Sequence, residues 1–338
     1  MYDSWDEACQ SYMKISAAVR RSFLFVLLAV AGIFVWSLCA FFGLFEPRLP
    51  EPQFQGKKLT DWAQDVFPSD YLPYVSNPAL RAKNDRAIAA IRQMGTNTLP
   101  TALQLCGARD SWFKLKLEEL TSYNSDGVLK YRITPEWERH EKGNNIILAL
   151  GPAAAPAIPI LIQLLQSSDA GIADSVMVSL PAIGTNVVPP LTRLLDSPNE
   201  LVRIRAAIIL GRNFGAQART AIPVLIQGAE NRQVNLITRL KAIHCMGLMR
   251  EDAADVLPTL IRQVQSETNT IILRSYFNAL GNLGTNAGPA VPLLVHILES
   301  NPAEFHSSTK EQALGNLMKI DPDTAKPFVQ KWKASTDR

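Results

Sequence analysis

From about residue 80 onward, apolar residues recur at the i, i+3, i+4, i+7 spacing of an amphipathic helix, in runs that a glycine closes. Val202, Ile204, Ala207 and Ile208 give one such stripe. The closing glycines keep a beat. Gly151, Gly184 and Gly215 stand 33 and 31 residues apart, and two further steps, with a slot near Met249 or Arg250 between them, lead to Gly284. A last step of 37 reaches Asp321. Prolines follow in register: Pro100, Pro156, Pro189 and Pro289 lie five after the glycine, and Pro159, Pro223 and Pro292 lie eight after it.

Residues 94–97 (MGTN), 183–186 (IGTN) and 283–286 (LGTN) repeat one phrase. Its physical meaning is a helix stop and restart. A glycine in the left-handed C′ conformation ends one helix, Thr and Asn suit the turn and the next N-cap, and proline is tolerated in a first helical turn. This predicts longer A helices near 80–94, 137–150, 171–183, 200–214, 234–249, 269–283 and 308–320. Shorter B helices are predicted near 98–107, 155–166, 187–196, 218–229, 253–265, 287–299 and 323–334. One hairpin cannot bury its own apolar face, so the units must stack, giving an all-α solenoid of about seven hairpins over residues 80–335.

Several segments resemble HEAT repeats, in particular the short phycobilin-lyase-type variety. They are Leu201-Val202-Arg203-Ile204-Arg205-Ala206-Ala207, Ala149-Leu150-Gly151-Pro152, Ala157-Ile158-Pro159-Ile160-Leu161 and Ala290-Val291-Pro292-Leu293-Leu294. The phrase Glu51-Pro52-Gln53-Phe54-Gln55-Gly56-Lys57-Lys58-Leu59-Thr60-Asp61-Trp62 is similar to one in membrane-anchored bacterial HEAT proteins. The resemblance implies a right-handed, ARM-type superhelix that works as a protein-interaction scaffold. Val-Arg is intact only in the unit at 200–215, which puts the usual polar ladder between repeats in doubt elsewhere.

Ahead of the repeats, residues 23–45 run without a charge. As a helix they would be about 34 Å long, enough to cross a hydrocarbon core of about 30 Å. The run exceeds a signal-peptide core and ends in a poor cleavage site, which favours an uncleaved signal anchor over removal. Lys14, Arg20 and Arg21 precede it and only Arg48 closely follows, so the short segment 1–22 is expected in the cytoplasm and the bulk of the chain outside the inner membrane. Met13 is a second candidate start. Residues 46–79 hold six prolines and read as a stalk, with a short helix capped by Thr60 that docks Trp62.

Gly95 and Gly151 are 56 apart, so an insertion occupies about 108–136. Trp112, Phe113, Tyr131 and Trp137 belong to this aromatic stretch, which either caps the stack or contacts a partner.

The 338 residues are 47% hydrophobic and 19% charged with a formal charge of +3, too little to point to nucleic acid. Four cysteines are too scattered for a disulfide framework, and Cys106 and Cys245 stand too many repeats apart to bridge. His244-Cys245 reads as a packed thiol beside a hydrogen-bonded imidazole. No catalytic, cofactor or metal-binding signature occurs, so neither a cofactor nor a small-molecule substrate is expected.

One polar pattern does recur. Four residues after the helix B proline stand Gln104, Gln163, Arg193, Gln227, Arg262 and His296, a line down successive B helices. B helices commonly line the concave face of a solenoid, so this line is a candidate recognition ladder. The expected function is therefore a non-enzymatic, membrane-anchored scaffold for a protein partner. A bilin or cofactor lyase-like enzyme and a purely structural envelope spacer are the alternatives.

Overall fold

The computed structural model describes residues 32–33, 50–67, 77–110, 116, 135–300 and 307–336. The expected membrane span therefore lies outside the described residues except at Gly32 and Ile33. Trp112, Phe113 and Tyr131 lie outside them altogether. The chain divides into two compact units, one of residues 1–51 and 108–139 and one of residues 52–107 and 140–338.

The larger unit opens with a two-residue-per-strand hairpin, β1 (Gln53–Phe54) and β2 (Lys57–Lys58), running into α1 (Leu59–Ala63). Phe54 pairs with Lys57, so Gln55 and Gly56 are the turn, and both have positive φ, at 52° and 75°. That is the requirement of a primed hairpin turn. Helices then alternate long and short. The A series is α2 (Pro78–Met94), α4 (Glu136–Leu150), α6 (Ala170–Ser179), α8 (Glu200–Asn213), α10 (Leu236–Leu248), α12 (Thr270–Leu283) and α14 (Ser307–Ile320). The B series is α3 (Leu99–Cys106), α5 (Ile158–Leu165), α7 (Val188–Leu194), α9 (Ile222–Glu230), α11 (Ala253–Ser266), α13 (Val291–Glu299) and α15 (Pro322–Thr336).

Gly95, Gly151, Gly184, Gly215 and Gly284 all carry positive φ. At Gly95, Gly184 and Gly284 the conformation is not the left-handed helical one expected. Gly184 sits at φ 86°, ψ −159° and Gly284 at φ 63°, ψ −140°, a region open essentially to glycine alone. The chain leaves each glycine straight into a 3₁₀ stretch, as at Gly151–Ala157 and Gly284–Ala290. For this reason the B helices at 158, 222 and 291 begin a few residues later than the periodicity predicts. Nor do Thr and Asn of the repeated phrase cap helix B, whose starts at Leu99, Val188 and Val291 have no side-chain cap. The 3₁₀ turn meets the need for a cap there by bonding each N–H three residues back.

Side-chain caps occur instead on the A helices. Asn77, Asp169, Asn199 and Asn269 each accept two backbone N–H groups of the first turn, and Asn235 accepts one, that of Thr238. The fifth hairpin has no glycine in its turn. Its turn at Met249–Asp252 is held from both neighbours: Asn286 Nδ2 donates to the Arg250 carbonyl at 2.8 Å, and Arg219 pairs with Asp252 at 3.6 Å and with Asp255 just beyond it at 3.1 Å. At Asp321 the carboxylate accepts from the Thr324 N–H at 3.1 Å, so that position is a helix cap and not a glycine substitute.

The core is a continuous column of Ala, Leu, Ile and Val between the two helix series. In α8 burial is not confined to one stripe. Every residue from Ile204 to Gly211 is buried. An apolar surface on all sides of a helix requires cover on all sides. Neighbours supply it: Lys241 of α10 and Asp174 of α6 form an ion pair at 3.2 Å across α8. Helix axes in contact lie about 8–10 Å apart, so a flat row would hold α6 and α10 two such steps apart. The long Lys241 side chain closes that gap, so the pair covers part of α8.

Two more side chains bond across a repeat. Arg205 Nη1 of the fourth repeat donates to the Leu165 and Ser167 carbonyls (3.2 and 2.9 Å) at the end of the second. Tyr276 of the sixth donates its hydroxyl to the Ala229 carbonyl of the fourth at 3.3 Å.

Candidate functional site

The six ladder positions occupy one register on the B helices. Gln104 is half-buried, and Gln163, Arg193, Gln227, Arg262 and His296 are exposed. Their chemical states differ. Gln227 Nε2 donates to Glu200 Oε1 at 3.3 Å, joined there by Asn231 Nδ2 at 2.9 Å. Arg262 pairs with Glu230, which also accepts from Gln263 at 3.1 Å. Gln227 and Arg262 thus help hold the repeat stack. The side chains of Gln163, Arg193 and His296 form no hydrogen bond or ion pair among the described residues.

Sequence reasoning missed a second, inner ladder of cations facing B-helix ends. Arg203 Nη1 donates to the Ser197 carbonyl at 2.7 Å, and Arg239 Nε to the Ala229 carbonyl at 3.0 Å. Lys310 Nζ donates to the Ser300 carbonyl. Carbonyls at a helix C-terminus lack intrahelical partners and sit at the negative end of the dipole, so cations meet both demands. Arg203 and Arg239 each stand four residues after the capping Asn, and that offset from Asn199 and Asn235 was the available signal.

Apolar side chains are exposed along the starts of neighbouring A helices. Ile237 (61% exposed) and Ile271 (52%) each stand two residues after the capping Asn, with Leu236 beside them. In the smaller unit, Trp137 is exposed at the start of α4. There the Asp110 N–H donates to Glu136 Oε2 at 3.0 Å, the Glu136 N–H returns to Asp110 Oδ2 at 2.9 Å, and Arg139 pairs with Asp110. These bonds pin together the two ends of the expected insertion.

The cysteines face inward. Burial pushes the Cys106 and Cys245 thiols up to about 12, leaving them protonated and unreactive. Both are free, with Cys106 Sγ at 3.6 Å from Asn144 Oδ1 and Cys245 Sγ at 3.5 Å from the Ile208 carbonyl. His244 points outward and is exposed, so it does not form a pair with the buried Cys245. Partial burial, and then the nearby Arg212, hold its pKa below the usual imidazole value. Among the described residues no three His, Cys, Asp or Glu side chains gather to hold a metal. The one described stretch long and apolar enough to cross a membrane is Glu136–Leu165, with a mean hydropathy of 1.9. It is two helices with Gly151 between them, and half of its apolar window is buried in the protein.

Residues 188–280, from α7 into α12, match the family model for HEAT repeats. No curated protein matches the chain. Among solved structures, an engineered protein is 15% identical, covering 77% of this chain and 96% of its own, with a TM-score of 0.35. YibA of Escherichia coli is 14% identical, covering 82% of this chain and 99% of its own, also with a TM-score of 0.35.

Proposed function

Starting from the HEAT repeats at 188–280, we propose that this protein is a non-enzymatic interaction scaffold, fixed in the cytoplasmic membrane by residues 23–45. Its N-terminus lies inside and its repeat stack lies on the outer side, presented to a protein partner. HEAT repeats in general serve as protein-interaction scaffolds. The observation that carries the reading is the outer ladder. It places polar groups in one register on successive helices, and three exposed ones, the side chains of Gln163, Arg193 and His296, are unengaged among the described residues. Repeated side chains on a rigid stack suit an extended partner surface better than a small molecule. The uncharged run at 23–45 and the basic residues before it support the membrane placement.

The test is a crosslinked pull-down from native membranes with the full-length protein, beside Arg193→Ala/His296→Ala. A partner captured by the first and lost with the second supports the scaffold and places its surface on the B helices. A partner retained by both moves the surface elsewhere, to Trp137 and the insertion or to Ile237 and Ile271. Failure to capture any partner would favour a spacer role.

A further inference from the structure

We infer that residues 52–67 are an end cap of the repeat stack, a strap that docks and undocks on the first two A helices as one unit. Proline content alone makes this stretch a spacer, but its packing does not. Leu59, Ala63 and Val66 are buried, on a helix of only five residues and the turn after it. So short a helix has no stability of its own, and it persists only because of what it packs against.

Two buried amides from two different A helices grip its backbone. Asn84 Oδ1 of α2 accepts the Phe67 N–H at 2.7 Å, and Asn145 Nδ2 of α4 donates to the Ala63 carbonyl at 3.0 Å. Both asparagines are almost fully buried with the strap in place, so each depends on the strap's backbone for its hydrogen bond while it is docked. Charge adds a third point of attachment. Asp65 pairs with Lys57 of the hairpin at 2.6 Å and with Lys83 of α2 at 2.7 Å.

The hairpin locks the strap internally. Trp62 Nε1 donates to the Phe54 carbonyl at 3.2 Å, and Lys57 Nζ stands 4.2 Å from the centre of the indole ring. Trp62 therefore packs under its own hairpin and against the edge of the core, which Leu59 and Ala63 enter fully. Because every attachment lies in one 16-residue stretch (52–67), the strap closes or opens as a whole. The first hairpin of a stack has a neighbour on one side only, and solenoids need a terminal element that covers the other side. Residues 52–67 bridge the first two A helices at that end of the stack, through Asn84 and Asn145.

Hydrogen exchange followed by mass spectrometry on the full-length protein tests this. Peptides across 52–67 should exchange together, well protected but faster than peptides from α8. Asn84→Ala and Asn145→Ala should each speed that group about tenfold, raise exchange at the start of α2, and leave α10 and α12 unchanged. A strap that exchanges at unprotected rates in the wild type would overturn the docking. So would either variant speeding all repeats equally, because the segment would then not open as a unit of its own. Leu59→Ala should act in the same direction through lost packing, without removing a polar partner.

Discussion

Arg239 and Glu267 form an ion pair at 3.0 Å with only 8% and 4% of their side chains exposed, and each is also anchored to backbone. Arg239 holds the Ala229 carbonyl, and Glu267 accepts the Thr268 and Asn269 N–H groups. Burial alone would raise the Glu267 pKa. The Asn269 N–H and Arg239 outweigh it and hold the carboxyl below its ordinary value of 4.5. A carboxylate depressed in the fold contributes stability that is complete above its unfolded pKa and is lost as pH falls through the folded one. Thermal midpoints measured from pH 7 down to pH 3 should therefore fall less steeply in Glu267→Gln than in wild type, from a lower starting value. Equal slopes would show that Glu267 ionises alike in both states.

Arg205→Met should cost about 2–4 kcal/mol, because it strips the Leu165 and Ser167 carbonyls of a charged donor inside the core. Arg203→Met, which loses a half-exposed bond to the Ser197 carbonyl, should cost about 1 kcal/mol. Urea unfolding with unchanged m-values would read the difference. Equal costs would mean that solvent reaches the carbonyls around Arg205.

Gly184→Ala and Gly284→Ala should each cost about 1–3 kcal/mol from backbone strain alone, since a new Cβ meets nothing within 4 Å. Asparagine tolerates the left-handed helical region but not this one, so Gly184→Asn should be no better than alanine. Gly143→Ala fails for another reason: its Cβ would fall 2.7 Å from Cys106 Sγ and 2.8 Å from the Ala102 carbonyl. Thermal melts of the four variants separate strain from clash, and rescue by Asn at 184 would contradict the observed geometry.

Thiols held near 12 do not react at neutral pH. Maleimide labelling mapped by peptide mass should leave Cys106 and Cys245 unmodified in native protein and modify both in urea. Native labelling of Cys245 at the rate of a free thiol would show that α10 opens at that position.

The periodicity of glycine and proline predicted the seven hairpins, because helix stops are local chemistry that one sequence displays. Three features escaped it for physical reasons. The glycine conformation depends on how the chain enters the following 3₁₀ turn, and φ > 0 alone does not separate the two regions. The all-round burial of α8 was visible in part: Ile204 and Ala206 to Leu210 are apolar on every side, a pattern that one buried stripe does not explain. The engagement of Gln227 by Glu200 and of Arg262 by Glu230 joins residues more than 25 positions apart, a pairing that no spacing within one repeat reveals. Of the candidate surface, the register of the ladder was legible, and which of its members are occupied was not.

The bonds that skip a repeat change how the array should respond to load. In a stack whose units touch only their neighbours, stability is a chain of independent couplings, and the array can fray or bend between any two units. Here Arg205 ties the second repeat to the fourth, Asp174 and Lys241 tie the third to the fifth, and Tyr276 ties the sixth to the fourth. These spans overlap, so no single interface from the second repeat to the sixth can part without breaking at least one of them. A partner gripping one end of that block would meet a beam, and the free energy of binding would not be spent on straightening it.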